Sequence, residues 1–394
     1  MKRHSFVSLL SILIFSITLT GQSNLLTDTT YHTFNDKIKS ILKFTTSGKD
    51  TIYEDTARYY YVTGNIWQLG SYKNGLMSGE WTTWYPNGGI KRKSNYLEGK
   101  KNGEIINYYD NGKPKLILNY ENDTVVGLAT LYFDNSQIKE TRVYKNNKLN
   151  GLTTGYNVNG DLSYRINFVD SIKHGLYEKY YFSGKLKEKG EIFDQQFYGK
   201  YNSYYENGQI EKEYSYNAYN IDGQYTVYFD DGKIMINGNY INGKIEGVWQ
   251  QYYNTGSIYE SGKYHNGIRE GKWVSYFNDS VTYMIGVYNN GLAEGIWKVY
   301  HPNGKLKQSG HFISGNANGK WEFYYENGKR KMKGNYNNNK NTGHWVHYYD
   351  NGIVKLDLYY IDGMLDGILT AYDSSGKLIE QAEYKDNKLV RKIK

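Results

Sequence analysis

Cysteine is absent from the 394-residue chain, and proline occurs only 3 times. Without cysteine there are no disulfides, thiolate metal sites, cysteine nucleophiles or lipid-modified cysteine. Val, Ile and Leu are sparse, and the mean hydropathy is −0.74. Such a chain cannot fill a thick aliphatic core. Histidine numbers only 8. His344 and His347 stand close, but a spacing of three in a strand sends them to opposite faces. The HExxH, GxSxG, phosphate-loop and GxGxxG patterns are all missing. Asp230-Asp231 precedes a turn glycine without the other calcium-loop ligands, so turn chemistry accounts for it. These absences give an expected non-catalytic protein with no catalytic, cofactor-binding or metal residues and no cofactor. No individual binding residue stands out.

Aromatics are plentiful, at 17%, and Tyr alone supplies 45 residues. Gly supplies 43. Tyr and Trp have large apolar bodies and polar tips, which suits them to covering a thin sheet. The chain opens MKRHSFVSLLSILIFSITLTGQSN. Lys2 and Arg3 form a positive start, Phe6 to Leu19 is apolar, and small residues follow. This layout predicts a signal peptide over residues 1–21, with cleavage after Gly21 or Ser23. The apolar stretch is too short for a comfortable membrane span, which needs roughly 20 residues. Export to the periplasm, outer envelope or medium is the expected location. Loss of Lys2 and Arg3 lowers the formal net charge from +8 to +6. That permits anionic partners without requiring them.

One period organises the rest. Gly79, Gly103, Gly127, Gly151, Gly175, Gly199, Gly223, Gly247, Gly271, Gly295, Gly319, Gly343 and Gly367 follow at steps of 24 residues, without insertion. Counting each as position zero, plus five is Trp84 and then Tyr in every later unit. Plus nine is Gly except at Ser136 and Ser280. Plus seventeen is Tyr except at Phe168, Ile192 and Phe312. Plus two is Trp in six units: Trp81, Trp249, Trp273, Trp297, Trp321 and Trp345. A worn copy begins at Asp55. Asn157 stands where most units carry a second aromatic.

Each unit has two aromatic-rich runs separated by turn signals such as Asn327-Gly328, and Asn-Gly between such runs marks a β-hairpin. The prediction is all-β: an elongated single antiparallel meander sheet of about fourteen 24-residue hairpins over residues 55–390. At ~4.8 Å per strand, about 28 strands span roughly 130 Å. Residues 22–54 form a lead-in, with Ile41–Thr46 and Thr51–Asp55 flanking a turn as a capping hairpin. Residues 391–394 form a basic tail. The aromatics at plus five and plus seventeen, twelve apart, are expected to build a ladder across strands. If Asn-Gly is a two-residue loop, plus fifteen faces plus two. Gly334 then faces Trp321, whose ring covers the bare backbone.

The unit GxWxxYYxNGxxKxxGxYxNGxxxG resembles the MORN-repeat family, specifically its bacterial variant repeat, over residues 55–390. The resemblance implies a hairpin-built sheet that acts as a protein-binding scaffold. Some members have been proposed to contact membrane lipid, and some bacterial members are labelled antitoxin. Lysines add a second signal. Lys113, Lys185, Lys233, Lys305, Lys329 and Lys377 stand at plus ten. Lys91, Lys115, Lys139, Lys187, Lys307, Lys331 and Lys355 stand at plus twelve. Read as one strand face, they form either a seam for anionic lipid or glycan, or a solvated margin. The leading expectation is an exported protein-binding scaffold. Lipid or glycan binding and an antitoxin-like role are the alternatives. Nucleic acid is not an expected partner, and the sequence specifies no oligomeric state.

Overall fold

The computed structural model describes residues 25–34 and 36–394. The signal-peptide reading of residues 1–21 lies outside them. Among the described residues there are 36 strands and no helix, and every strand pair is antiparallel. The chain divides into two units, residues 1–195 and 196–394. Unit 1 holds the hairpins that begin at Asp55 through Gly175, and unit 2 those from Gly199 through Gly367.

Every hairpin uses the same register. In the hairpin of Gly319, Gly319 pairs with Tyr336, Trp321 with Gly334 and Phe323 with Met332; a shift follows before Tyr324 pairs with Arg330. The expected pairing of Trp321 with Gly334 is therefore present. The turn that produces it is not the expected two-residue loop. Tyr325 N–H donates to the Lys329 carbonyl at 2.9 Å and Gly328 N–H to the Tyr325 carbonyl at 2.8 Å. This is a three-residue loop with Gly328 in the left-handed region (φ 88°). Its bulge restores the register a two-residue loop would give. The second turn is the true two-residue one: Asn266 and Gly267 both have positive φ (52° and 81°), as a type I′ turn requires.

The unbroken anchor glycine has a conformational cause. All thirteen have positive φ, and Asp55 in the same place has φ 63°. They form a bulge against the preceding strand, as between Lys333 and Asn335. A Cβ on Gly319 would meet nothing within 4 Å, so space is not the constraint there. Ser136 (φ 78°) and Ser280 (φ 68°) occupy the left-handed turn position that is Gly elsewhere. Left-handed backbone costs an L-residue roughly 1–2 kcal/mol. Ser280→Gly should therefore raise stability by about 0.5–1 kcal/mol after its unfolded-state entropy is counted. A urea titration that shows an unchanged or lower midpoint would contradict this.

The lead-in is a lengthened hairpin of the same kind. Leu26–Tyr31 pairs with Ile38–Ser47, with Leu26 opposite Phe44 and the usual shift just before Tyr31. Tyr31 thus takes the plus-five place and Phe44 the plus-seventeen place. From Leu26 to Asp55 is 29 residues (55 − 26), which breaks the 24-residue beat. Ile38–Ser47 then pairs with Asp50–Tyr53. Leu42, Ala57 and Trp81 form a buried cluster, packed by Tyr53, Tyr59, Tyr72, Met77 and Tyr96. At the other end, Lys388–Lys392 pairs with Leu378–Lys385, and Lys394 exchanges backbone bonds with Gln381. Arg391 and Lys392 of the basic tail are thus part of a strand.

Candidate binding surfaces

Residues directly opposite on paired strands share a face, so the register sorts the side chains. Trp273 and Gly286 lie on one face, and Val274 and Ile285 on the other. The first face is aromatic. In unit 2 a continuous series runs Tyr240, Trp249, Tyr264, Trp273, Tyr288, Trp297, Phe312, Trp321, Tyr336, Trp345 and Tyr360. Successive centroids are 5.0–6.4 Å apart, with planes at 76–88°. Edge-to-face contact of this kind is the favoured aromatic geometry. The ladder therefore alternates plus two with plus seventeen, not plus five with plus seventeen as expected. The plus-five tyrosines sit with the other face: Tyr324 hydroxyl donates to Glu322, and Tyr180 hydroxyl to Glu178. Burial within the ladder pushes the Tyr336 hydroxyl pKa up.

The covering of the plus-fifteen glycines also departs from expectation. Gly334 is covered not by Trp321 but by Trp345 of the next hairpin; a Cβ on Gly334 would lie 2.0 Å from its ring. Gly70, Gly238, Gly262, Gly286 and Gly310 are covered likewise by Trp81, Trp249, Trp273, Trp297 and Trp321. The indole leans back across the preceding strand, where Trp345 Nε1 donates to the Asn335 carbonyl at 3.1 Å. Trp81, Trp273 and Trp297 make the equivalent bond.

The second face is polar in most hairpins, and in some of them its middle rows are ion-paired. Glu178 meets Arg165 at 3.1 Å and Lys189 at 3.3 Å. Glu322 meets Lys320 and Arg330, both at 3.1 Å. Burial alone would raise the Glu178 carboxyl pKa, but Tyr180, Lys189 and Arg165 together hold it below its usual range. The hairpin of Gly271 replaces this pattern with aliphatic residues, and Ile296 of the next hairpin adds to them. Val274 pairs with Ile285, Val287 follows two residues along the same strand, and Ile296, Leu292 and Ile268 extend the aliphatic residues toward the second turns. Val287 is 42% exposed and Ile296 62%. Lys263, Lys272, Glu294 and Lys298 flank the patch. Unit 1 has a smaller counterpart in the pairs Ile106–Ile117 and Leu128–Val143. These patches are not apparent in the sequence, because sidedness depends on the bulges.

The two lysine rows do not share one face position. The bulge sets plus twelve beside plus four, as when Ser203 donates to Glu211 at 3.0 Å. There it covers the ring at plus six. Lys91, Lys115, Lys139, Lys187, Lys331 and Lys355 lie over Tyr85, Tyr109, Phe133, Tyr181, Tyr325 and Tyr349 at 5.3–5.7 Å. At plus ten, Lys233, Lys305 and Lys329 instead reach the next turn and donate to the carbonyls of Asn254, Asn327 and Asn351. A groove of about 280 Å³ in unit 1 is lined by Tyr85, Lys91, Arg92, Asn107, Tyr108, Lys115 and Leu116.

The remaining singled-out residues serve turns and pairs. Asp231 accepts from the Lys233 backbone N–H at 3.0 Å, which is turn chemistry. Asn157 accepts from the N–H of Asn159 and Asp161. His344 pairs with Asp357, while burial and then Lys355 and Lys331 lower the His347 pKa. Among the described residues no three His, Asp or Glu side chains gather as a metal site.

Ten stretches match the MORN repeat variant: residues 77–98, 101–122, 173–193, 197–218, 221–242, 245–266, 293–314, 317–338, 341–362 and 365–386. They pass over the hairpins that contain Ser136, Asn157 and Ser280, although these fold with the same register. No curated protein matches the chain. Among solved structures, a complex of TcdB2-TccC3 with Cdc42 is 12% identical, with a TM-score of 0.14 over 92% of this chain and 23% of that one. The Photorhabdus luminescens Tc holotoxin pore is also 12% identical, with a TM-score of 0.14 over 92% of this chain and 27% of that one. The chain thus spans about a quarter of those proteins. MORN repeats are generally protein- or membrane-binding modules. With ten matched repeats covering more than half of its length, the chain belongs to the MORN repeat variant family.

Proposed function

We propose that this protein is an exported, non-catalytic scaffold that holds a partner protein on the aliphatic patch of unit 2. The observation that carries the reading is the Val274–Ile285 pair, at positions that some other hairpins use for an ion pair, with the exposed Val287 and Ile296 beside it. An apolar centre with a charged rim is the usual anatomy of a protein interface. Val287 and Ile296 are exposed, so Val287→Glu with Ile296→Glu should change stability by no more than about 0.5 kcal/mol per site. Capture of a partner by cross-linking in the native envelope should fall about tenfold or more, as loss of an interface centre does. Capture by the parent should survive high salt.

The lysine-lined groove at Tyr85 and Tyr108 supports a second reading, the binding of anionic lipid or glycan. Such binding weakens steeply as ionic strength rises. Capture that disappears with salt and ignores the glutamate variant would favour this groove over the patch.

A further inference from the structure

The row of lysines over plus-six rings is interrupted in unit 2. In four successive hairpins the residue at plus twelve is Glu211, Met235, Tyr259 and Tyr283. Tyr259 packs edge-on against Tyr253 at 5.2 Å, and Tyr283 against Phe277 at 5.1 Å. Within this interruption lies a cleft of about 570 Å³, lined by Phe229, Asp230, Asp231, Met235, Tyr252, Tyr253, Asn254 and Tyr259. It sits at the first-turn ends of the strands, whereas Val287, Leu292 and Ile296 lie toward the second-turn ends.

Two observations define what the cleft accepts. First, the chain's own lysines show that the ring at plus six takes an ammonium group; here the residues above Phe229 and Tyr253 carry no charge. Second, the cleft is acidic. Asp231 is engaged by Lys233 at 2.8 Å, and Lys233 also donates to the Asn254 carbonyl. The exposed Asp230 carboxylate has no hydrogen bond or ion pair among the described residues. A cation placed here meets aromatic faces, a free carboxylate and the methionine side chain together, and attraction to ring and carboxylate adds.

We propose that this cleft binds a lysine or arginine side chain from a basic segment of another protein. The incoming cation enters the cleft beside Met235 and Tyr259 and supplies there the positive charge that the chain's own lysine supplies over the plus-six ring in other hairpins. The site is separate from the aliphatic patch, so either reading can fail alone.

The test uses the full chain and a hexalysine peptide, followed by calorimetry. The protein has a formal net charge of +8, so non-specific attraction does not favour this probe. The parent should bind it. Asp230→Asn should weaken binding about three- to tenfold, the range expected for losing one charge partner at a cation–π site. Met235→Lys with Tyr259→Lys restores the resident lysines and should abolish detectable binding. Ile379→Lys with Tyr219→Lys adds the same charge elsewhere and should weaken it no more than about threefold by general repulsion. Val287→Glu with Ile296→Glu should leave the peptide bound. The proposal is overturned if the parent does not bind or if the Met235 and Tyr259 variant binds like the parent. It is also overturned if fully N-acetylated hexalysine binds equally well, which would make the ligand neutral.

Discussion

Gly334→Ala should destabilise unit 2 by about 3 kcal/mol or more, the upper range for forcing atoms into a packed site. A Cβ there would stand 2.0 Å from Cδ2 of Trp345, and Trp345 is 2% exposed. The indole has no room to retreat, because Tyr336 and Tyr360 flank it edge-on at 5.1 and 6.4 Å and its N–H is held by the Asn335 carbonyl. Gly319→Ala is a useful contrast. Its Cβ meets nothing, so only the left-handed backbone is penalised, at roughly 1–2 kcal/mol. The two glycines of one hairpin are therefore required for different reasons, one steric and one conformational. The steric cause is checked by a double-mutant cycle. Trp345→Leu is itself destabilising, but with the ring gone Gly334→Ala should cost little. The chain already contains such a pair, with Leu358 in the glycine's place and Leu369 in the tryptophan's place of the next hairpin. Equal effects of Gly334→Ala in both backgrounds would rule out the ring as the cause.

The sequence contained enough to assign that ring correctly. Trp81 faces Ser94 in its own hairpin and Trp345 faces Leu358, so a tryptophan does not need glycine as its partner. Gly70 and Gly334, one hairpin earlier, are glycine in both cases. The association runs between hairpins, and a reading confined to single units misses it. Strands and turns were legible because Asn-Gly and the aromatic runs repeat every 24 residues. In the lead-in, the expected pairing of Ile41–Thr46 with the run from Thr51 is present, but the preceding hairpin of Leu26–Tyr31 with Ile38–Ser47 was not legible, because its 29-residue spacing hides Tyr31 and Phe44 from the beat. Face assignment failed at plus twelve for a local reason. One extra residue at the bulge moves that side chain beside plus four, and strict alternation cannot anticipate this. The lysine seam was therefore visible as a row, while the rings beneath it were not. The aliphatic patch was hidden in the same way: Val274, Ile285, Val287 and Ile296 become neighbours only once the register is fixed.

Removing residues 271–294, one whole hairpin, should leave a folded and shorter unit 2. Removing residues 283–294, half a hairpin, should destroy cooperative folding downstream. The whole-hairpin deletion places Gly262 beside Trp297, so the ring still finds a glycine. Tyr253, whose hydroxyl donates to the Tyr276 carbonyl at 2.9 Å, meets the equivalent carbonyl of Tyr300 instead. Only one nearest-neighbour unit is lost from a stack whose stability is close to additive. The half deletion removes one strand from a meander. The chain must still advance in the stacking direction, so every later strand turns half a revolution about that direction. Trp297, Trp321 and Trp345 then emerge on the face opposite Trp249 and Trp273, and the ladder is cut. Thermal unfolding should show one transition for the 24-residue deletion, within about 5 °C of the parent, given the few-degree shifts expected per kcal/mol at this size. For the 12-residue deletion the transition should broaden or fall by more than about 10 °C as two-state behaviour is lost. Matching transitions for the two deletions would mean that the single strand, not the hairpin, is the structural unit of the array.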